Sequence, residues 1–312
     1  MRETVLTGID GANPLGFFAA LGVLEVVSDR GLPARLAWRD EGAWRPILSG
    51  LDASVDDLVE WVEEDRLTCL SEPALALEYG GKRDLKPPPG QFREYLLTLV
   101  AAAQPGSRRS VDWASSFATD IAVDNNGNTK PTALHFTAGQ QLFLKMVDEL
   151  ATGVTASDVS EALIGPWRYE RPLPVMGWDA TAARSYALRA SNPSGDKKLG
   201  VPAADWLAVR GMVSLPVVPV GSRVLTTGCT GGWKTGAFAW PLWSVALERS
   251  VVRSTVRLDL GSMDDAERRA RGIAVVFRCG IKRTDQGGYG SFEPASVFRK
   301  QARPSAEVGR NE

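Results

Sequence analysis

Phe17, Phe18, Leu21 and Leu24 fall at the three- and four-residue spacing of a helix face. The run that carries them opens on Asn13 and Pro14, a good cap followed by a residue suited to the first turn. Gly31-Leu32-Pro33 ends it. Gly16 and Gly22 cost helix propensity but admit another backbone at close range. The pattern therefore predicts a buried, close-packed helix over residues 14–27, near the domain centre. Residues 34–39 set Leu36 and Trp38 on alternate positions and predict a strand. Ser54, followed by Asp56 and Asp57, predicts a capped helix over 54–67. Its Glu60, Glu63, Glu64 and Asp65 read as a solvated acidic face.

Residues 80–90 cannot be regular structure, because Lys82, Arg83 and Lys86 run into Pro87-Pro88-Pro89. This stiff link sets the expected organisation. An acidic N-terminal subdomain covers 1–85, a main α+β domain 91–300 and a flexible tail 301–312, with one continuous domain as the alternative. Further helices are expected at 91–103, 138–150, 158–164, 203–213, 245–257 and 264–271. Loops are expected at 106–110, 124–131 and 191–200, and strands at 223–227, 238–243 and 273–283. A helix-rich N-terminal half with short, mainly antiparallel strands gives the fold class α+β.

Composition narrows the chemistry. With 44% hydrophobic and 23% charged residues, the 312-residue chain has ordinary globular make-up. No apolar run reaches the length of a membrane span, and the first residues lack a secretory layout, so no membrane is expected. Cys69, Cys229 and Cys279 are odd in number and far apart. They suggest neither a disulfide framework nor a metal pair, and fit a reducing, cytoplasmic compartment. The single histidine, His135, excludes two-histidine metal signatures and reads as a core residue between Leu134 and Phe136. Residues 228–236 mix glycine with Lys234-Thr235, but Trp233 stands where a phosphate loop needs glycine. That segment reads as a flexible hairpin. No nucleophile motif is present, and no cofactor or metal is expected. Asp120, Asp124 and Asp179 keep a metal-dependent nuclease open as an alternative.

A net charge of −1 hides an asymmetry: residues 1–80 carry −9, residues 81–246 carry +4 and residues 247–312 carry +4. The acidic beginning and the basic end are expected to present different faces to partners. Arg249, Arg253 and Arg257 recur every fourth residue, which puts them on one helix face. Arg268, Arg269 and Arg271 follow, then Arg278, Lys282 and Arg283 along an expected strand. Such a cluster is the electrostatic footprint of a phosphate backbone. These nine residues are the candidate nucleic-acid contacts. Six tryptophans in the second half, Trp233 among them, read mainly as core, although aromatics interleaved with arginine also suit single strands.

The segment from Leu6 to Leu24, LTGIDGANPLGFFAALGVL, resembles the opening of accessory and large-subunit-like proteins of type I-G (formerly I-U) CRISPR systems. That group includes proteins described as an extension of the CRISPR helicase-nuclease. LHFTAGQQLFL at 134–144, Gly165-Pro166-Trp167, Gly177-Trp178-Asp179, Tyr186-Ala187-Leu188-Arg189 and Trp240-Pro241-Leu242-Trp243 resemble later pieces in the same order. The chain departs from the family's Gly-Ala-Asn-Arg-Leu-Ala at 200–208, where the arginine is missing. The resemblance implies a non-catalytic part of an RNA-guided complex. Its partners would be CRISPR effector subunits and guide RNA or target DNA, with base pairing reading sequence and protein reading backbone. A purely structural docking subunit is the other alternative.

Overall fold

A short strand, β1 (Thr4–Val5), leads into α1 (Pro14–Asp29) in the computed structural model, which describes residues 3–104, 108–182, 199–233, 235–284 and 289–299. The Asn13 side chain accepts from the Leu15 amide and caps α1, as expected. An antiparallel pair follows, β2 (Arg35–Asp40) and β3 (Trp44–Ser49). The second strand was not expected from the sequence, because Pro46 interrupts its pattern; here Pro46 stands opposite Trp38, and its carbonyl accepts from the Leu6 amide. Helix α2 (Val55–Cys69) starts on the predicted Ser54 cap, which forms a capping box with Asp57. Then come α3 (Pro89–Ala102), α4 (Arg109–Phe117), the hairpin β4 (Ala118–Val123) and β5 (Thr129–Pro131), α5 (Phe143–Gly153) and α6 (Ala156–Ile164). The second half holds α7 (Pro202–Gly211), the hairpin β6 (Val217–Val220) and β7 (Arg223–Thr226), β8 (Cys229–Thr230) and β9 (Ala237–Trp243). It closes with β10 (Leu247–Glu248), α8 (Arg249–Thr255), α9 (Asp265–Ala270), β11 (Ile273–Arg283), β12 (Gly290–Phe292) and β13 (Ser296–Val297).

The fold is α+β, with small antiparallel sheets. One runs β1-β3-β2-β10 and another β12-β11-β9-β8, with β13 also on β11. Tryptophans tie these layers together. Trp243 on β9 donates to the Leu36 carbonyl on β2, and Trp240 donates to the Gly11 carbonyl ahead of α1. A buried indole N–H left without an acceptor costs free energy, and both of these find one. Helix α1 is buried from Pro14 through Val27 and lies against α7. Each helix brings a glycine to that crossing: a Cβ on Gly22 would sit 1.9 Å from the Leu207 carbonyl, and one on Gly211 2.2 Å from the Phe18 carbonyl.

Residues 80–88 form no helix or strand, whereas Pro89 and Gly90, expected in the irregular link, already open α3, because proline is tolerated in a first helical turn. Leu85 is fully buried and one hydrophobic core runs from Leu6 to Phe292 across the segment. Of the loop expected at 106–110, Arg109 and Ser110 instead form the first residues of α4, and residues 106–107 lie outside the described residues. Helix α5 begins five residues later than expected, because Gly139 adopts a left-handed conformation (φ 61°) that a helix does not accept. No helix among the described residues is long and apolar enough to cross a membrane. Tyr186, Arg184 and Arg189, the expected loop up to residue 198, Lys234, residues 285–288 and the tail over 301–312 lie outside the described residues.

Candidate nucleic-acid interface

Strand β11 is rich in β-branched and aromatic residues, with Ile273, Val276, Phe277, Cys279 and Ile281 buried. Alternation then leaves Arg278 and Lys282 exposed with Gly280 between them. Glu293 packs over that glycine: its amide donates to the Gly280 carbonyl, and a Cβ at position 280 would meet its carboxylate at 2.1 Å. Two open grooves, of about 790 and 440 Å³, share Arg278, Gly280 and Glu293. Arg299 lines the first and Lys282 the second. Arg278 and Lys282 are four residues apart, which on a strand is roughly 13 Å. Over that length one strand of a duplex carries about four phosphates at 3.4 Å each.

The other sequence candidates divide into two groups. Arg253 donates to both oxygens of Glu25 at 2.8 Å and to Asp112 at 2.7 Å, while Arg249 pairs with Glu25 and Asp29. These two are turned into the fold, and α8 ends at Thr255, so Arg257 does not share their helical face but stands exposed beyond it. Arg268 is only 4% exposed, donating to the Leu260 and Phe298 carbonyls under the Phe298 ring. Arg283 is half-buried and donates to the Ala133 and His135 carbonyls. Arg269 is exposed on the last turn of α9 and Arg271 just beyond its end, Arg271 donating to the Glu267 carbonyl. Exposed cationic surface therefore survives at Arg257, Arg269, Arg271, Arg278 and Lys282.

The acidic N-terminal residues explain where the rest went. The Asp65 side chain is 8% exposed and pairs with Arg210 and Arg109, so it is no part of a solvated face. Arg210 is 1% exposed and also binds Asp29. Burial lowers its affinity for a proton, but Asp65, Cys69 and Asp29 outweigh that and leave the guanidinium more basic than usual. Much of the charge asymmetry of the sequence is thus spent on complementarity between α1, α2, α7 and α8 rather than offered to partners.

A third cleft, of about 410 Å³ and mainly apolar, opens beside the glycine-rich 231–236 turn. Gly231 is left-handed (φ 81°), and a Cβ there would collide with the Thr235 carbonyl, so the turn needs glycine. Trp233 lines this cleft and is 49% exposed, with the Arg283 guanidinium 3.7 Å over its ring centre. Burial pulls the Arg283 pKa down to about 10, which still leaves it charged at neutral pH. Lys130 and Arg223 also line the cleft; sequence reasoning did not single them out, since each sits in or beside a turn with no neighbouring cation.

The remaining candidate chemistry is dispersed. His135 is buried, bonded through Nε2 to Asp84 and Thr137 and stacked on Phe143; burial holds its pKa below the usual value. Asp120 pairs with Arg93, Asp124 caps its own turn, and Asp179 accepts from Asn13 and Thr181. Among the described residues no three His, Cys, Asp or Glu side chains are grouped to hold a metal ion. Burial pushes the thiols of Cys69 and Cys229 up to about 12, so neither is a thiolate at neutral pH. Trp38, Trp113, Trp178, Trp206, Trp240 and Trp243 are fully buried, which separates them from Trp233. The chain matches no protein-family model and no curated protein.

Proposed function

We propose that this chain is a non-catalytic subunit of a CRISPR type I interference complex, holding guide RNA or target DNA by its backbone beside neighbouring effector subunits. The motifs from Leu6 to Trp243 support the family reading. One structural observation supports the binding role: Arg278 and Lys282 stay exposed in adjoining grooves while Arg249, Arg253, Arg268 and Arg283 are engaged within the fold. Cations held at the surface rather than in internal ion pairs are what phosphate contacts require, and such contacts need no catalytic group. Its three free cysteines suit a reducing, cytoplasmic setting. The test is binding of RNA and DNA strands of unrelated sequence across a salt series. Tight, salt-sensitive and sequence-independent binding supports the reading, and absence of binding at low salt overturns it.

A purely protein-docking role is the second reading. Val218, Val220 and Leu225 favour it, because they put exposed apolar side chains on one face of the β6–β7 hairpin. A subunit of this kind would bind no strand at any salt concentration.

A further inference from the structure

We infer that the cleft beside Trp233 takes up an unpaired nucleobase of a single strand, with Trp233 as the stacking surface; this rests on the nucleic-acid reading above. Trp233 differs from the six buried tryptophans in keeping half its surface in water. One ring face is already covered by Arg283, which two backbone carbonyls hold in place. The stack is therefore half built: a guanidinium lies over the indole, and about half of the Trp233 surface is still in water. A planar base completes it, and its π-face needs no particular sequence.

The walls of the cleft agree with this occupant. Leu225, Cys229 and Ile281 line it with largely apolar surface, suited to a base rather than a phosphate. Its volume of about 410 Å³ lies in the range of small-molecule sites. Lys130 and Arg223 among its lining supply positive charge for the phosphates flanking an inserted base. Gly231 and Gly232 line it without adding side-chain bulk. Charge and shape thus select an aromatic ring carried on an anionic backbone.

The experiment compares a short base-bearing oligonucleotide with an otherwise identical abasic one, on the full chain and on Trp233→Ala and Trp233→Phe. Trp233→Ala should weaken binding of the base-bearing strand roughly 5- to 150-fold, the range for loss of one base–aromatic stack. Binding of the abasic strand should be unchanged, Trp233→Phe should recover most of the loss, and the salt slope should stay at its wild-type value. Oligouridylate and oligothymidylate arms identify whether RNA or DNA supplies the base. Equal losses on both strands, or no loss on either, would overturn the inference while leaving backbone binding intact. Failure of the wild-type chain to bind any strand would overturn the functional reading, and this inference with it. Matched melting curves for the three proteins confirm that the variants fold.

Discussion

The Leu207 carbonyl occupies the place where a Cβ on Gly22 would have to be, 1.9 Å from its ideal position. Helices α1 and α7 therefore touch backbone to backbone, and Gly211 makes the reciprocal approach to Phe18. A helical Gly→Ala change ordinarily gains about 1 kcal/mol in propensity. Here Gly22→Ala is expected to lose about 1–3 kcal/mol net, since a carbonyl in a packed core cannot step aside. Gly22→Leu should lose more. Urea denaturation measures both, and an unchanged midpoint for Gly22→Ala would show that the two helices do not meet at this residue.

Arg210 and Asp65 are a buried pair in which neither charge reaches water freely. Removing one partner of such a pair costs about 3–5 kcal/mol, because the other charge stays buried without its counterpart. Arg210→Met is expected to lose that amount. Combined with Asp65→Asn, it should lose less than the sum of the single changes, as coupled residues do. Strict additivity in a denaturation cycle would show that the pair does not interact.

Asp205 gives a pH test with a defined sign. Its carboxyl is fully buried, one oxygen accepting from the Met176 amide and the other without a hydrogen-bond donor. Burial, reinforced by nearby Asp179, raises its pKa from 3.8 to about 8. The unfolded chain ionises near 3.8 and the folded one resists ionisation up to about 8. The contribution to stability is therefore complete below the lower value and declines as pH rises towards the upper one. Asp205→Asn keeps an acceptor and cannot ionise. It should melt with wild type near pH 4 and above it at pH 8, by on the order of 2–5 kcal/mol. A melting difference that does not change with pH would place an ionised Asp205 in the folded state.

Much of this architecture is legible in the sequence, for identifiable reasons. Asn13-Pro14 and Ser54 announce α1 and α2 because capping is local chemistry. Strand β11 matches its expected span, since a stretch rich in β-branched and aromatic residues between Gly272 and the following glycine-rich segment leaves little choice. Strand β3 is hidden by Pro46, and α4 by Arg108 and Arg109 at its start. The candidate site was legible only in part. Arg278 and Lys282 sit as strand alternation places them, whereas Arg253 is claimed by Glu25 from 228 residues away. A charge run read along the chain cannot reveal that its counter-ions lie on α1. Arg268 shows the same limit: an Arg268→Ala change would disturb the α9 region rather than report on phosphate contact.

Salt dependence of strand binding by the Arg278→Ala/Lys282→Ala variant tests the central claim most directly. Removing one cation–phosphate pairing flattens the slope of log affinity against log salt by about 0.7–0.9, so the double change should flatten it by roughly 1.4–1.8. Affinity at low salt should fall for unrelated sequences alike, because backbone contacts carry no base information. Both side chains are exposed, so the melting curve should match wild type. Anisotropy measured at several salt concentrations gives slope and affinity together. A variant with wild-type slope and affinity would contradict the account, leaving the groove along β11 without a nucleic-acid role.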